Sequence, residues 1–356
     1  MVTEPKLAQI LLKEIEKLVT QETNLMEVCG THTMAVSSSG IRRMIPPQLR
    51  LLSGPGCPVC VTPAEDIDWI IEFTRIPDVI LATFGDMMKV PGSTSSLEAE
   101  RATGAQVKVV YSPLDALEIA QRSPGKRVIF VGVGFETTSP TVASTILLAR
   151  KRRVKNLYIY PTFKLIPPAM GFLSEKRQAR IDGFICPGHV STIIGSHPYE
   201  FIPQRFGIPC VITGFEPLDV LQGMWMLLRQ KRADDPKVEI QYRRGVTDEG
   251  NPKALASIEE VFQRCDSQWR GIGEIPSSGL SLRREFSPYN AKEAFDLHPP
   301  ETEEPVGCIC GPIMMGIKIP PDCNLFGKKC TPQTPVGPCM VSSEGACAAY
   351  YRYGDN

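Results

Sequence analysis

The sequence predicts an α/β protein: two domains with parallel sheets, then a C-terminal segment that needs a metal centre or cross-links to hold it. Three observations carry this prediction. Short apolar runs alternate with helical patterns about every 25 residues, as when parallel strands are joined by crossover helices. Glycine, cysteine and histidine gather where the apolar runs end, the edge at which open α/β sheets place their chemistry. Six of the twelve cysteines fall between Cys308 and Cys347, in a stretch too rich in proline and glycine to pack a core of its own.

A chain of 356 residues with 42% hydrophobic and 22% charged residues can bury two or three ordinary domains. Its 39 basic and 39 acidic residues balance, so no electrostatic case exists for a nucleic-acid partner. No apolar run is long enough to span a membrane. The first segment, 1–23, is apolar but interrupted by Lys13, Glu14, Glu16 and Lys17. With Leu7, Leu11, Ile15 and Leu18 on one face, it reads as an amphipathic helix and not a signal peptide. A cytoplasmic location is therefore expected, where cysteines serve more often as ligands or redox groups than as staples.

Residues 24–125 are expected to form the first α/β domain. Its first strand, Asn24 to Val28, ends in Cys29-Gly-Thr-His32-Thr33, and a helix over Met34 to Met44 follows, with Thr31 or Thr33 as its cap. A second strand, Leu49 to Ser53, runs into Gly54-Pro-Gly-Cys57-Pro-Val-Cys60. Thr62, Pro63 and Glu65 then read as N-cap, first turn and capping box of the next helix. A thiol pair ahead of a helix N-terminus should have a lowered pKa, as redox dithiols do. Half of a zinc site would show the same spacing. Further strands are expected at 78–83 and 107–111, with helices at 94–104 and 113–122.

The second α/β domain is expected over 126–235. Its strand Arg127 to Val133 leads into Gly134-Phe-Glu136-Thr-Thr138. Gly132 and Gly134 lack the third glycine of a dinucleotide fingerprint, and no Lys-Ser/Thr follows, so neither nucleotide motif is met. Strands at 157–160, 183–185 and 210–212 follow; the second of them ends in Cys186-Pro-Gly-His189-Val-Ser191. Leu218 to Arg229 is an apolar helix. Over 236–306 a strand at 238–242, a helix at 255–265 and loops are expected to wrap back over the domains. Cys210 and Cys265 read as packing cysteines.

The tail, 307–356, holds Cys308, Cys310, Cys323, Cys330, Cys339 and Cys347. The gaps are too long for zinc knuckles. A 4Fe–4S cluster accepts ligands from scattered loops and is the expected centre, with structural zinc and disulfides as the alternatives. Six thiols exceed four ligand sites. Cys308 and Cys310 are close enough in sequence that at most one is expected to be a ligand. Cys323, Cys330 and Cys347 are taken as ligands, with Cys339 and Cys308 competing for the fourth place.

The set MEVCGTHT (26–33), GPGCPVC (54–60), GFETT (134–138), CPGHVS (186–191) and CTPQTPVGPCMVSSEGACAAYYRY (330–353) resembles the HypD family of NiFe-hydrogenase maturation proteins. The resemblance runs from about residue 24 to the end of the chain. It implies two Rossmann-like domains plus a cluster-bearing third. It also implies a role in assembling an iron unit with two cyanides and one carbon monoxide, alongside a HypC-type chaperone and the cyanide donor HypE. Under this reading Cys29 anchors the iron, His32 handles its proton, and Cys57 and Cys60 exchange two electrons. Glu136 and His189 would then face Cys29 across the cleft as proton carriers or cyanide donors. A stand-alone iron–sulfur thiol/disulfide oxidoreductase is the alternative.

Overall fold

The computed structural model describes residues 4–176, 178–297 and 302–354. Its nine parallel strands form two sheets. The first contains β1 (Thr23–Glu27), β2 (Leu49–Ser53), β7 (Gly183–Pro187), β8 (Cys210–Thr213) and β9 (Val238–Ile240), in the order β2-β1-β7-β8-β9. The second contains β3 (Val79–Thr83), β4 (Val107–Val109), β5 (Arg127–Gly132) and β6 (Leu157–Pro161), in the order β4-β3-β5-β6. Central strands such as VILAT are buried at every position because both faces are covered.

Odd and even residues of these strands enter different cores. Met26 and Phe184 of the first sheet and Leu81 and Ile129 of the second belong to one apolar cluster. Leu25, Ile185 and Val211 pack outward with Leu227 and with Ile15 of the N-terminal helix Glu4–Leu18. That helix is amphipathic as expected, although Leu7 remains exposed. Ile80, Val128 and Phe130 pack outward with Val142 and Ile146 of the helix Ser139–Lys151.

The strand pairing overturns the expected division at 125/126. Leu25 of β1 pairs with Leu51 on one side and Gly183 on the other, while Leu81 of β3 pairs with Ile129 of β5. The chain lays two strands of the first sheet, builds the second sheet complete, and returns. Apolar periodicity marks a strand but says nothing of its neighbour, so the halves looked consecutive.

Residues 236–297 are also more ordered than expected. After β9 comes the helix Pro252–Val261, then an antiparallel hairpin of β10 (Phe262–Trp269) and β11 (Gly273–Leu282), with Phe262 opposite Leu282. Cys265 therefore lies on a strand and not at a helix end. The hairpin is exposed along most of β10, so its sequence carries a weak apolar signal. It is tied down by Leu165 N–H donating to Ser278 O at 2.8 Å and by Arg270 N–H donating to Val61 O at 2.9 Å. The tail has only short helices, among them Cys310–Met314, Pro338–Val341 and Ala346–Tyr353. Among the described residues no helix is long and apolar enough to cross a membrane.

Candidate functional site

Because β1 and β2 are parallel neighbours, their C-terminal ends deliver Cys29 and Cys57 side by side. Gly54 N–H donates to Glu27 O at 2.7 Å and Gly30 N–H to Gly56 O at 2.8 Å. The two loops touch so closely that a Cβ on Gly56 would lie 2.2 Å from the Cys29 nitrogen. Cys29 is itself the N-cap of the helix Gly30–Ser39, the place expected for Thr31 or Thr33, and a break at Gly40 separates off Ile41–Met44. Cys29 is 9% exposed. Burial, and then the negative charge of Glu344, push its pKa up to about 11, against the pull of the His32 and Thr31 amides. Glu344 comes from the tail, and its Oε1 accepts a hydrogen bond from Thr31 Oγ1 at 2.8 Å.

Cys57 and Cys60 are joined as a disulfide, with Cys57 capping the short helix Pro58–Val61. This turn alters the expected start of the next helix. Thr62 Oγ1 donates back to Pro58 O at 2.9 Å, and Pro63 is the N-cap of Ala64–Thr74. Cys60 Sγ lies 3.9 Å from Pro338 O in the tail. Gly30, Gly56, both disulfide cysteines, Cys339 and Glu344 line one small void, so three distant motifs converge there.

The histidines arrive on the same sheet edge. His189, on the helix Gly188–Ile194 after β7, stacks on Phe215 with ring centres 3.9 Å apart, and Phe215 stacks on His32 at 4.9 Å. His32 Nε2 lies 2.9 Å from Gly214 O and 2.8 Å from Thr213 Oγ1. Donation to the carbonyl assigns the proton to Nε2 and leaves Nδ1 an acceptor, without a partner among the described residues. Burial pulls the His32 pKa down to about 4, so the ring is neutral at pH 7. Burial also lowers His189, and Glu344 opposes that shift.

Glu136 is not brought to Cys29. It follows β5 on the other sheet, accepts a hydrogen bond from Ile166 N–H at 3.0 Å, and lines a separate cleft with His197, Leu255 and Phe262. The expectation that it faces Cys29 fails because the end of β5 opens elsewhere.

Five of the six tail thiols gather around one apolar-walled cleft, and Cys339 lies on the neighbouring void. Cys308, Cys310, Cys323, Cys330 and Cys347 line the cleft with Leu325, Phe326 and Met340. Cys308 Sγ donates to Cys310 Sγ at 3.2 Å. Hydrogen bonds from Cys308, Cys339 and Cys347 hold Cys310 well below the usual thiol range. Cys310, set aside on spacing, is thus the centre of the group, because the helix Cys310–Met314 turns it inward beside Cys308. Cys330 Sγ accepts from Val336 N–H at 3.3 Å, whereas Cys323 Sγ points toward Gly307 O at 3.9 Å, at the rim.

No group of three or more His, Cys, Asp or Glu among the described residues is arranged to hold a single metal ion. The donor set nevertheless fits a multi-iron cluster. It is all thiol and apolar-walled, and it is cradled by Gly337, where a Cβ would lie 2.6 Å from Cys308 Sγ and 2.7 Å from Cys310 Sγ. The sequence reading took Cys310 as a spare thiol and missed Phe215 and Glu344. For Glu344 a signal existed: it is the one charge in the small-residue run Ser342 to Ala346.

Comparison with known proteins agrees with this architecture. The family described as HypD, "Hydrogenase formation hypA family", matches residues 6–354. "Hydrogenase maturation factor HypD2" of Bradyrhizobium diazoefficiens is 47% identical over 337 residues, covering 92% of this chain and 89% of that protein. "Hydrogenase maturation factor HypD" of Rhodobacter capsulatus is 45% identical over 363 residues, covering 99% and 96%. Its Escherichia coli namesake is 46% identical over 330 residues, covering 92% and 88%. With the match running almost end to end, the chain belongs to the HypD family of hydrogenase maturation factors.

Proposed function

We propose that this protein is the cytoplasmic scaffold and redox partner on which the Fe(CN)2CO unit of NiFe hydrogenase is assembled, together with a HypC-type chaperone and HypE. The observation that carries this reading is the meeting of Cys29, the Cys57–Cys60 disulfide and the cysteine tail around Gly56 and Glu344. The cargo iron, bearing cyanide and carbon monoxide, is a soft acceptor for which a thiolate is the natural anchor, and Cys29 supplies it. As a free thiol Cys29 stays protonated, and iron binding displaces that proton. His32 Nδ1, neutral and unpartnered, is suited to receive a proton, and His189 stands on the other side of Phe215.

Opening the Cys57–Cys60 disulfide takes up two electrons and two protons and gives two thiols; closing it returns them. The tail would hold a 4Fe–4S cluster through four of its six cysteines, drawn from Cys308, Cys310, Cys330, Cys339 and Cys347, with Cys323 at the rim. When bound, such a cluster supplies or accepts single electrons. The closeness of Cys60 to Pro338 also suits a second reading, a stand-alone iron–sulfur thiol/disulfide oxidoreductase.

An infrared spectrum of the protein isolated with a HypC-type chaperone separates the two. Bands of iron-bound cyanide and carbon monoxide that vanish in Cys29→Ala, while the cluster absorbance persists, are expected. Bands retained in Cys29→Ala refute the anchor, and failure to co-elute with the chaperone favours the oxidoreductase.

A further inference from the structure

A cavity of about 940 Å³ lies away from the thiols. Its walls come from the loop ahead of the helix Ile166–Lys176, from the helix Pro252–Val261 and from the β10–β11 hairpin, with Leu165, Leu255, Ile258 and Phe262 as apolar surface. Its volume suits a compact organic ligand. Glu136 lies on its floor, 4% exposed. One carboxyl oxygen takes the Ile166 N–H; the other, Oε2, is buried and has no partner among the described residues. An unpaired buried carboxyl oxygen is costly, and the cavity is where a partner can come from. Backbone donors are scarce beside it, since Pro167 and Pro168 carry no N–H. Above pH 7, where Glu136 is ionised, the floor therefore accepts and the ligand must donate.

The mouth has the opposite character. Arg264 and Arg283 line the cavity with exposed side chains, and Arg264 makes no ion pair among the described residues. Glu259 is the opposing charge there, and its backbone oxygen accepts from Arg283 Nε at 2.7 Å. We propose that this cleft is a second binding site, for a small organic anion with an apolar body, whose buried end donates an N–H or O–H to Glu136 Oε2 and whose acidic end meets Arg264. The site stands apart from the assembly chemistry proposed for Cys29 and does not depend on it.

The test uses the full chain and 8-anilinonaphthalene-1-sulfonate, which joins an aromatic body, one N–H and a sulfonate. Saturable one-to-one fluorescence binding is expected. Measured above pH 7, Glu136→Leu should weaken it by about tenfold, as loss of a hydrogen bond to a charged acceptor does. Arg264→Ala should weaken it severalfold. Ile258→Trp narrows the cleft from a partly exposed helix position without touching Glu136, so it guards against misfolding in the first variant and should abolish binding. Affinity unchanged in Glu136→Leu or in Ile258→Trp, or only non-saturable binding, overturns the site. The Cys29→Ala protein should bind the probe as the parent does.

Discussion

The two sheets are built alike, from parallel strands whose C-terminal ends carry loops of reactive residues, yet the loops meet different covers. The ends of β1 and β2 lie under the cysteine tail, which brings Glu344 to Thr31 and Pro338 to Cys60. The end of β5 lies beneath the hairpin and the helix Pro252–Val261, which stand off and leave a cleft. Both covers remove water, and desolvation is the leading cause that raises Cys29 to about 11 and Glu136 to about 7. One cover leaves a thiol wedged between backbones; the other leaves a buried carboxyl in the wall of a cleft. The cover, more than the loop sequence, decides whether a strand end becomes a closed thiol site or a pocket.

Four changes break or sharpen this contrast. The largest effect is expected from Cys310→Ser. As the hub of the thiol group, its loss should remove most of the bound iron and the cluster absorbance, while Cys323→Ser at the rim retains more of both. More iron lost from Cys323→Ser than from Cys310→Ser would return the ligand set to the one expected from spacing.

Next is the pH dependence on the open side. Folded Glu136 keeps its proton up to about 7, whereas an unfolded glutamate releases it near 4.5. The stability present below 4.5 is therefore lost as pH rises toward 7. Glu136→Gln escapes that loss, so its unfolding free energy should exceed the parent's by roughly 3 kcal/mol in mildly alkaline solution and match it in acid. Urea titrations at both pH values measure the difference. A constant offset between the proteins would show that the carboxyl titrates normally.

On the closed side, Gly56→Ala drives a Cβ into the Cys29 backbone and should cost about 2 kcal/mol. Gly125→Ala, with nothing within 4 Å of the added carbon, is the control and should stay within about 0.5 kcal/mol of the parent. Denaturant unfolding of both variants checks the close approach.

The smallest effect is expected from Glu344→Gln. The amide still accepts from Thr31 but no longer opposes ionisation of Cys29, so alkylation of that thiol should quicken modestly at alkaline pH. Mass spectrometry of the Cys29 peptide reads the rate, and an unchanged rate would mean that burial alone holds the thiol protonated.

Local chemistry was legible in the sequence because it is set within a few residues. Apolar runs bounded by glycine marked the strands, and those of the first sheet placed Cys29, Cys57, Cys60 and His189 at strand ends, where they stand. The clustering of cysteines marked the tail as one thiol-rich unit. What depends on distant partners was not legible. Leu25 pairs with Gly183 across 158 positions, and no local pattern distinguishes that neighbour from the next strand along. The same long-range choice sent Glu136 away from Cys29. It also let the tail bring Glu344 to Thr31, 313 residues earlier in the chain, and turned Cys310 from a spare thiol into the hub of its group. Periodicity records which face of an element is buried; only the tertiary structure decides against what, and desolvation by that partner sets the chemistry.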